Sequence, residues 1–425
     1  MNSIWQFELN FLKNVRQKGF FHLLSANMLI QLVSFASQLF VAGILSPDDI
    51  GRIKIVQTYL SIILIFAGMG FNSSTLKLCS ENRTNVEKQH LFRSALLFTL
   101  ISTISLYCIV LILNYLRFFS SDVIIRNLIP LGLFPIITNS LFMVFVSYFQ
   151  AIKKMKLISK LTISNKLISI LLIVIITYFI GIKGYYLAYN ISFAVMLVIC
   201  IKLVGKFEHK EIFSFQHFKL FNIHWQFARN AMAAYFLSEL SAYVDILLIS
   251  YLTSDMHKIG FYSFALTLTV VFRFFPSTVQ QITIPYFSAL NNQKADFHMA
   301  FKRYNFLLYT GVFATLGAVL LVFPPLINFI FSGKYNESFQ YFPLLAIGWS
   351  LRQLVQLQNG AIFSLGKIQY NVYISLITLI FNLLSIGILV HFFGIIGACY
   401  ASVFGGLVFM ISSRLYYQKA YNEIE

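Results

Sequence analysis

The sequence predicts an all-α polytopic membrane protein, with about 12 transmembrane helices arranged as two parallel six-helix repeats. Three observations predict it: a highly apolar composition, a succession of long apolar runs, and turn motifs that recur half a chain apart. Of 425 residues, 58% are apolar and 11% charged, and the mean hydropathy is +0.75. A soluble domain carries about 25% charged residues, so an ordinary soluble enzyme is excluded, as are disordered, collagenous and disulfide-scaffold chains. One span needs about 20 apolar residues, so twelve consume roughly 240.

The net charge of +17 does not point to nucleic acid, because the Lys and Arg lie mostly between apolar runs and report topology first. Cys79, Cys108, Cys200 and Cys399 are scattered and form no Cys-x-x-Cys pair. They read as small apolar residues. No His-x-x-x-His spacing occurs, and the single Glu-x-x-His stretch, Glu87–His90, has no second one to pair with, so no metal centre is supported and no cofactor is expected.

Along the chain, residues 1–19 carry Lys13, Arg16 and Lys18. Trp5, Leu9 and Leu12 repeat at i, i+4, i+7, which suits an interfacial helix or a short lead into the first span. The first apolar run is too long for a cleaved signal. The expected spans are 20–45, 52–71, 92–115, 123–149, 157–180, 185–204, 227–252, 258–282, 304–331, 338–361, 369–391 and 394–415. Pro47, Gly181, Gly184, Pro324, Pro325, Gly366 and Gly394 punctuate them. Pro130, Pro135 and Pro276 fall inside spans, where a missing N–H bends a helix.

The N-terminus, the C-terminus and alternate loops hold 23 Lys and Arg, whereas the intervening loops hold seven. Cytoplasmic loops are enriched in these residues. With an even span count, this places both termini in the cytoplasm.

The chain also repeats itself. Gly51 and Gly260 follow similar loops at an offset of 209, and Gly181/Gly394 and Gly184/Gly397 match at 213. Ala151-Ile152 and Ala361-Ile362 match at 210. An offset of six spans preserves orientation, so the repeats are parallel. The expected organisation is a six-helix lobe over 1–205, a cytoplasmic linker over 206–226 and a second six-helix lobe over 227–425. Such lobes facing a central cavity form an alternating-access carrier layout.

Four charged residues lie inside spans: Glu239, Asp245, Arg273 and Arg352. Each costs about 2.5–3.5 kcal/mol near a helix centre, so they are expected in a protein interior or a wet cavity. All four belong to the second repeat, and the first repeat is expected to lack such charges. Polar stripes extend the pattern: Thr269, Arg273, Ser277 and Gln280 on span 8, and Arg352, Gln356 and Asn359 on span 10. Asn27, Gln31, Ser34 and Gln38 form another on span 1. Polar stripes also serve as glue between helices. The candidate substrate-binding set is Arg273 and Arg352, which would hold an anionic group, with Gln280, Gln356, Gln31 and Gln38, and Asp245 and Glu239 are candidates for ion coupling. A structural Asp245–Arg273 ion pair is the plainer alternative.

Leu45-Ser46-Pro47-Asp48-Asp49-Ile50-Gly51, Phe149-Gln150-Ala151-Ile152-Lys153-Lys154 and Val244-Asp245-Ile246-Leu247-Leu248 resemble the polysaccharide-export branch of the multidrug/oligosaccharidyl-lipid/polysaccharide exporter superfamily. So does Ile259-Gly260-Phe261-Tyr262-Ser263-Phe264-Ala265, and the O-antigen flippases are most alike. The resemblance covers essentially the whole chain. It implies a V-shaped, two-lobe transporter of the bacterial inner membrane. Its substrate would be an undecaprenyl-diphosphate-linked oligosaccharide, moved from the cytoplasmic to the periplasmic leaflet. It also implies coupling to protons or sodium, and a polysaccharide polymerase and chain-length regulator as partners. Asp245 matches the family's acidic position on span 7, and the two arginines fit its cationic lumen in kind. Lipid II flippases match less well, with two more spans and a more basic first lobe. Two other functions compete. A cation-coupled drug exporter favours an acidic lumen, which two intramembrane arginines oppose. A membrane polymerase or glycosyltransferase, unlike this chain, has a sizeable periplasmic loop; no enzyme activity is expected.

Overall fold

The computed structural model describes residues 20–204, 218–253, 255–290 and 294–423, and every regular element among them is helical. The segment with Trp5, Leu9 and Leu12 and most of the expected 206–226 linker lie outside the described residues.

Helix α1 (Phe20–Ile44) carries the first apolar run. The chain restarts almost at once as α2 (Pro47–Gly68). The Ser46 side chain accepts from the Asp49 amide, Pro47 stands in the first turn, and Asp48 and Asp49 face the positive end of the helix dipole. Helix α3 (Phe71–Ser80) is short, and α4 (Asn85–Tyr115) opens on a capping box between Thr84 and Glu87. Helices α5 (Val123–Ala151), α6 (Met155–Ile180) and α7 (Ile182–Val204) follow, α5 running through Pro130 and Pro135. After the linker comes α8 (Phe221–Leu252). Helix α9 (Met256–Leu268) is capped by Asp255, as α2 is by Ser46, so both recurring loops are helix starts.

A 3-10 turn, Thr269–Arg273, then leads into α10 (Phe274–Ala289). Pro276 explains this interruption of span 8. It cannot bond the Phe272 carbonyl, so it is accommodated in the first turn of a new helix. Helix α11 (Lys294–Phe331) contains Pro324 and Pro325. Span 10 is also divided, into α12 (Phe342–Leu354) and α13 (Gln356–Ser364) around Val355. Helices α14 (Ile368–Phe393) and α15 (Ile395–Asn422) complete the chain.

Nine helices among the described residues are long and apolar enough to cross a membrane, or ten if α8, bent by 44° between Leu237 and Glu239, is one span. The expected twelve differ by two. Leu29–Ile44 is a shorter apolar helix, and neither half of divided span 10 has spanning length. Lys160 and Lys166 lie in the first half of α6, as they do in the expected span 157–180, so the first repeat carries cations toward one end of a span.

The repeat itself is visible as geometry. Helices α6 and α14 both have 26 residues, and Gly181 and Gly394 close them at φ 69°, ψ −147° and φ 63°, ψ −150°. This backbone region belongs essentially to glycine. A Cβ on Gly184 would lie 2.3 Å from the Ile176 carbonyl oxygen, and one on Gly397 2.0 Å from that of Leu389. Before these helices, Lys153 and Gly366 both take positive φ. That 213-residue register pairs Ala151 with Ser364, so the 210-residue match of Ala151-Ile152 with Ala361-Ile362 is displaced by three residues.

The chain forms two compact units, Phe40–Tyr243 and a second made of Val244–Glu425 with the residues up to Leu39. The boundaries fall inside α1 and α8, instead of at 205 and 227. Side-chain packing explains both. In the second unit, Phe35 of α1 packs on Phe274 and Phe323, with ring centroids 6.3 Å away in each case. In the first, fully buried His224 near the start of α8 meets Ser74 through Nδ1 (2.8 Å) and Ser94 through Nε2 (3.0 Å). The core of the first unit gathers Phe71, Phe92, Phe142, Phe145 and Phe149, and that of the second Tyr286, Phe287, Phe297, Phe301 and Leu308. Between lipid-soluble helices such packing replaces the hydrophobic effect as the main attraction.

Asp122 shows how a helix end is secured outside the spans. Its carboxylate accepts from the amides of Ile124 and Ile125 and from Arg52 Nε at 3.0 Å. Burial opposes its ionisation, but the Arg52 bond and these amides outweigh that and hold the carboxyl below its usual range. A depressed folded pKa contributes stability above the unfolded value of about 3.9, lost as pH falls through the folded value. Thermal midpoints of purified protein from pH 7 down to 3 are therefore expected to fall less for Asp122→Asn than for wild type. Parallel curves would contradict this assignment.

Candidate functional site

The two arginines singled out from the sequence come together within the second unit, and an unanticipated residue joins them. Arg273 ends the 3-10 turn, and its guanidinium carbon lies 4.1 Å from the centroid of the Trp349 ring. Arg352, in the last turn of α12, lies 5.2 Å from the same centroid. Each cation–π contact contributes about 0.5–2 kcal/mol, depending on how dry it is. A guanidinium's N–H donors lie in its plane, so stacking through the flat face uses none of them.

Arg352 is the more enclosed of the two. It is half-buried, and Nη1 donates to Ser402 Oγ of α15 at 3.1 Å and, more weakly, to the Gly348 carbonyl at 3.5 Å. Gly405 makes room beside it: a Cβ there would lie 3.3 Å from Arg352 Nη2 and 2.0 Å from Asn382 Oδ1. The backbones also approach closely, since a Cβ on Gly348 would meet Ser402 at 2.7 Å. Arg273 is exposed. Both cations stand at breaks in their spans, where a helix end with a nearby cation is electrostatically favourable for Arg352.

Asp245 belongs to the same neighbourhood. Its Oδ2 accepts from Tyr262 Oη at 2.9 Å, and Oδ1 accepts from the Ile246 amide at 2.8 Å. Asp245, Tyr262 and Arg273 all act electrostatically on Arg352. Glu239 is placed differently, at the bend of α8 and in the other compact unit. The four glutamines also separate. Gln356 Nε2 donates to Gln280 Oε1 at 2.6 Å, and Gln280 Nε2 donates to the Gln356 carbonyl at 3.2 Å. This pair ties α10 to α13. Gln31 and Gln38 flank Phe35 on one face of α1, and Phe35 packs on Phe274, the residue after Arg273.

Sequence reasoning missed Trp349, Tyr262, Ser402 and Asn382. Trp349 was legible: it precedes Arg352 by three residues and so shares its helix face. Tyr262 and Ser402 lie on other helices, and no spacing rule connects them to their partners.

Residues 17–291, more than half of the chain, match the sequence profile described as polysaccharide biosynthesis protein. The chain belongs to that family. Among curated proteins, this family member is 21% identical over 414 residues to an uncharacterized membrane protein of Methanocaldococcus jannaschii, covering 92% of this chain and 81% of that one. Solved structures show the same fold. The lipid II flippase MurJ, in an inward closed conformation, superposes with a TM-score of 0.76 at 15% identity, over 95% of this chain and 89% of that one. An inward-facing multidrug resistance MATE family transporter of the MOP superfamily gives 0.74 at 14%, over 93% and 96%. The fold is thus the two-lobe helical fold of MOP transporters, in a multi-pass membrane protein.

Proposed function

We propose that this family member is a flippase, carrying an undecaprenyl-diphosphate-linked oligosaccharide such as an O-antigen repeat unit. It moves its substrate from the cytoplasmic to the periplasmic leaflet of a bacterial inner membrane by alternating access between lobes. It acts as a transporter and performs no covalent chemistry. The observation that carries the reading is the convergence of Arg273 and Arg352 on Trp349. A lipid-linked glycan cannot cross hydrocarbon unaided, because its phosphates and unpaired hydroxyls are both costly there. Two guanidiniums gathered at one ring supply the positive charge and planar donor chemistry that suit adjacent phosphate groups. A drug exporter selective for cations would gain nothing from them.

Asp245 is the coupling acid in this reading. Its carboxylate accepts from Tyr262 and lies near Arg352, which places it beside the arginine pair. A polymerase and a chain-length regulator would receive the product on the far side. Deleting the gene is expected to accumulate a lipid-linked oligosaccharide on the inner leaflet, detected by mass spectrometry and by its protection from external glycosidase in right-side-out vesicles. Accumulation of a nucleotide sugar instead, with no lipid-linked species, would end the proposal. Both termini are cytoplasmic in this scheme. A phosphatase reporter fused near Lys334 is expected to be active and one near Lys294 inactive; the reverse would overturn the topology.

A further inference from the structure

Within the second unit, α11 and α15 are joined by a ladder of rings. Phe297 meets Tyr421 with centroids 6.3 Å apart, and Phe301 stacks on Tyr417 at 4.4 Å. Four residues forward on α11 are answered by four backward on α15, so the helices are antiparallel and this register sets Arg414 opposite residue 304. The guanidinium reaches beyond that level. Its Nη2 donates to Tyr309 Oη at 3.2 Å, five residues farther along α11. Tyr309 is itself held, because the side chains of Asn305, one turn earlier, and of buried Gln358 on α13 reach the same hydroxyl.

Helix α11 starts and α15 ends on the side that the Lys and Arg distribution makes cytoplasmic, and the expected spans begin at 304 and end at 415. Arg414 therefore extends into the bilayer. An arginine with no partner at the end of a span does the opposite and snorkels out to the interface. No carboxylate compensates it: among the described residues no ion pair includes Arg414, and Glu423 near the end of α15 is bonded to Lys367 at 2.6 Å. The seam between the helices opens on an apolar surface. Phe306, three residues before Tyr309, is 71% exposed, and Leu415, next to Arg414, is 61% exposed. Contiguous apolar exposure of this kind marks a membrane-facing surface. Along α11, His298, Lys302, Asn305 and Tyr309 recur at steps of four, three and four, one helix face. Lys302 is exposed on that face, two turns nearer the water than Tyr309. A cation drawn inward and a cation at the boundary thus occupy one seam at the level of the inner-leaflet phosphates.

We infer that the seam between α11 and α15 binds the headgroup of an anionic phospholipid of the cytoplasmic leaflet, with Arg414 and Lys302 as its phosphate ligands and Tyr309 as the residue that positions Arg414. Basic pockets between helices on this side of a membrane take such headgroups. A phosphate supplies both the countercharge and the acceptors for the N–H groups of Arg414 that Tyr309 does not use. The site lies wholly in the second unit and does not depend on what the protein transports.

The test titrates the purified full chain in detergent with phosphatidylglycerol and with phosphatidylcholine of the same chains, reading bound lipid by native mass spectrometry. Wild type is expected to bind the first phosphatidylglycerol about tenfold more tightly than phosphatidylcholine, as one charge-assisted hydrogen bond would give. Arg414→Gln brings that ratio to about two or less, and Arg414→Lys retains part of it. Lys302→Gln, at an exposed position where packing is not disturbed, lowers the ratio as well. Tyr309→Phe leaves the charge but releases it to snorkel, and gives an intermediate ratio with phosphatidylcholine binding unchanged. Lys419→Gln removes an equal charge where the ammonium lies over the Tyr370 ring, away from the seam, and preserves the ratio. Equal wild-type affinity for the two lipids, an unaltered ratio in both Arg414→Gln and Lys302→Gln, or an equal loss in Lys419→Gln would overturn the site. Displacement of phosphatidylglycerol by equimolar undecaprenyl diphosphate would also overturn it, by giving the seam to a different phosphorylated lipid.

Discussion

Arg352→Gln is expected to abolish surface polysaccharide while the protein still reaches the membrane in normal amount. The guanidinium makes a side-chain bond to Ser402 and shares Trp349 with Arg273, and it stands in the field of Asp245. Glutamine preserves length and a donor but removes the charge and the planar fork. Loss of one charge-assisted hydrogen bond to phosphate costs about 1.5–3 kcal/mol, roughly ten- to a hundredfold in affinity. Arg273→Ala is expected to be equally silent, and Arg273→Lys to retain part of the activity, because an ammonium keeps the charge without the bidentate geometry. Complementation of a deletion strain, with membrane protein quantified by immunoblot, reads both. Full surface glycan in either neutral variant would remove the basis of the proposed phosphate site.

The second large effect is on stability. Gly397→Ala places a methyl 2.0 Å from the Leu389 carbonyl oxygen, a backbone atom with no freedom to swing aside. The tight return between α14 and α15 would have to open, at a cost of about 1–3 kcal/mol. Gly394→Ala adds a comparable penalty through its backbone angles. Gly387→Ala is the control: nothing lies within 4 Å of its added methyl, and alanine inside a helix gains up to about 1 kcal/mol over glycine. Thermal midpoints in detergent are expected to fall for Gly397→Ala and hold or rise for Gly387→Ala. Gly184→Ala should repeat the Gly397 result, since its methyl would meet the Ile176 carbonyl oxygen at 2.3 Å. A Gly397 variant as stable as the Gly387 one would disprove the tight packing of this return.

The glycines also show why the repeat was readable in sequence. Gly181, Gly184, Gly394 and Gly397 occupy positions where backbone angle or backbone contact penalises any side chain. Such requirements survive as letters. Ala151-Ile152 and Ala361-Ile362 carry no comparable constraint, and their apparent match is three residues out of register. Span 10 was unreadable in another way: its apolar run is continuous, but the helix stops at Val355 with no proline to announce it.

The chain alone determined that this is a helical membrane protein with recurring halves, and that Arg273, Arg352 and Asp245 are too costly to leave in lipid. Hydrophobicity, glycine geometry and the price of a buried charge act within one helix or one turn, so each leaves a local signature. Tertiary structure decided which polar groups meet. It stacked both arginines on Trp349, gave Asp245 to Tyr262, satisfied Gln280 with Gln356 and moved the unit boundaries into α1 and α8. Those pairings join residues from separate helices, where many amides and hydroxyls have equivalent chemistry and only their three-dimensional packing selects a partner.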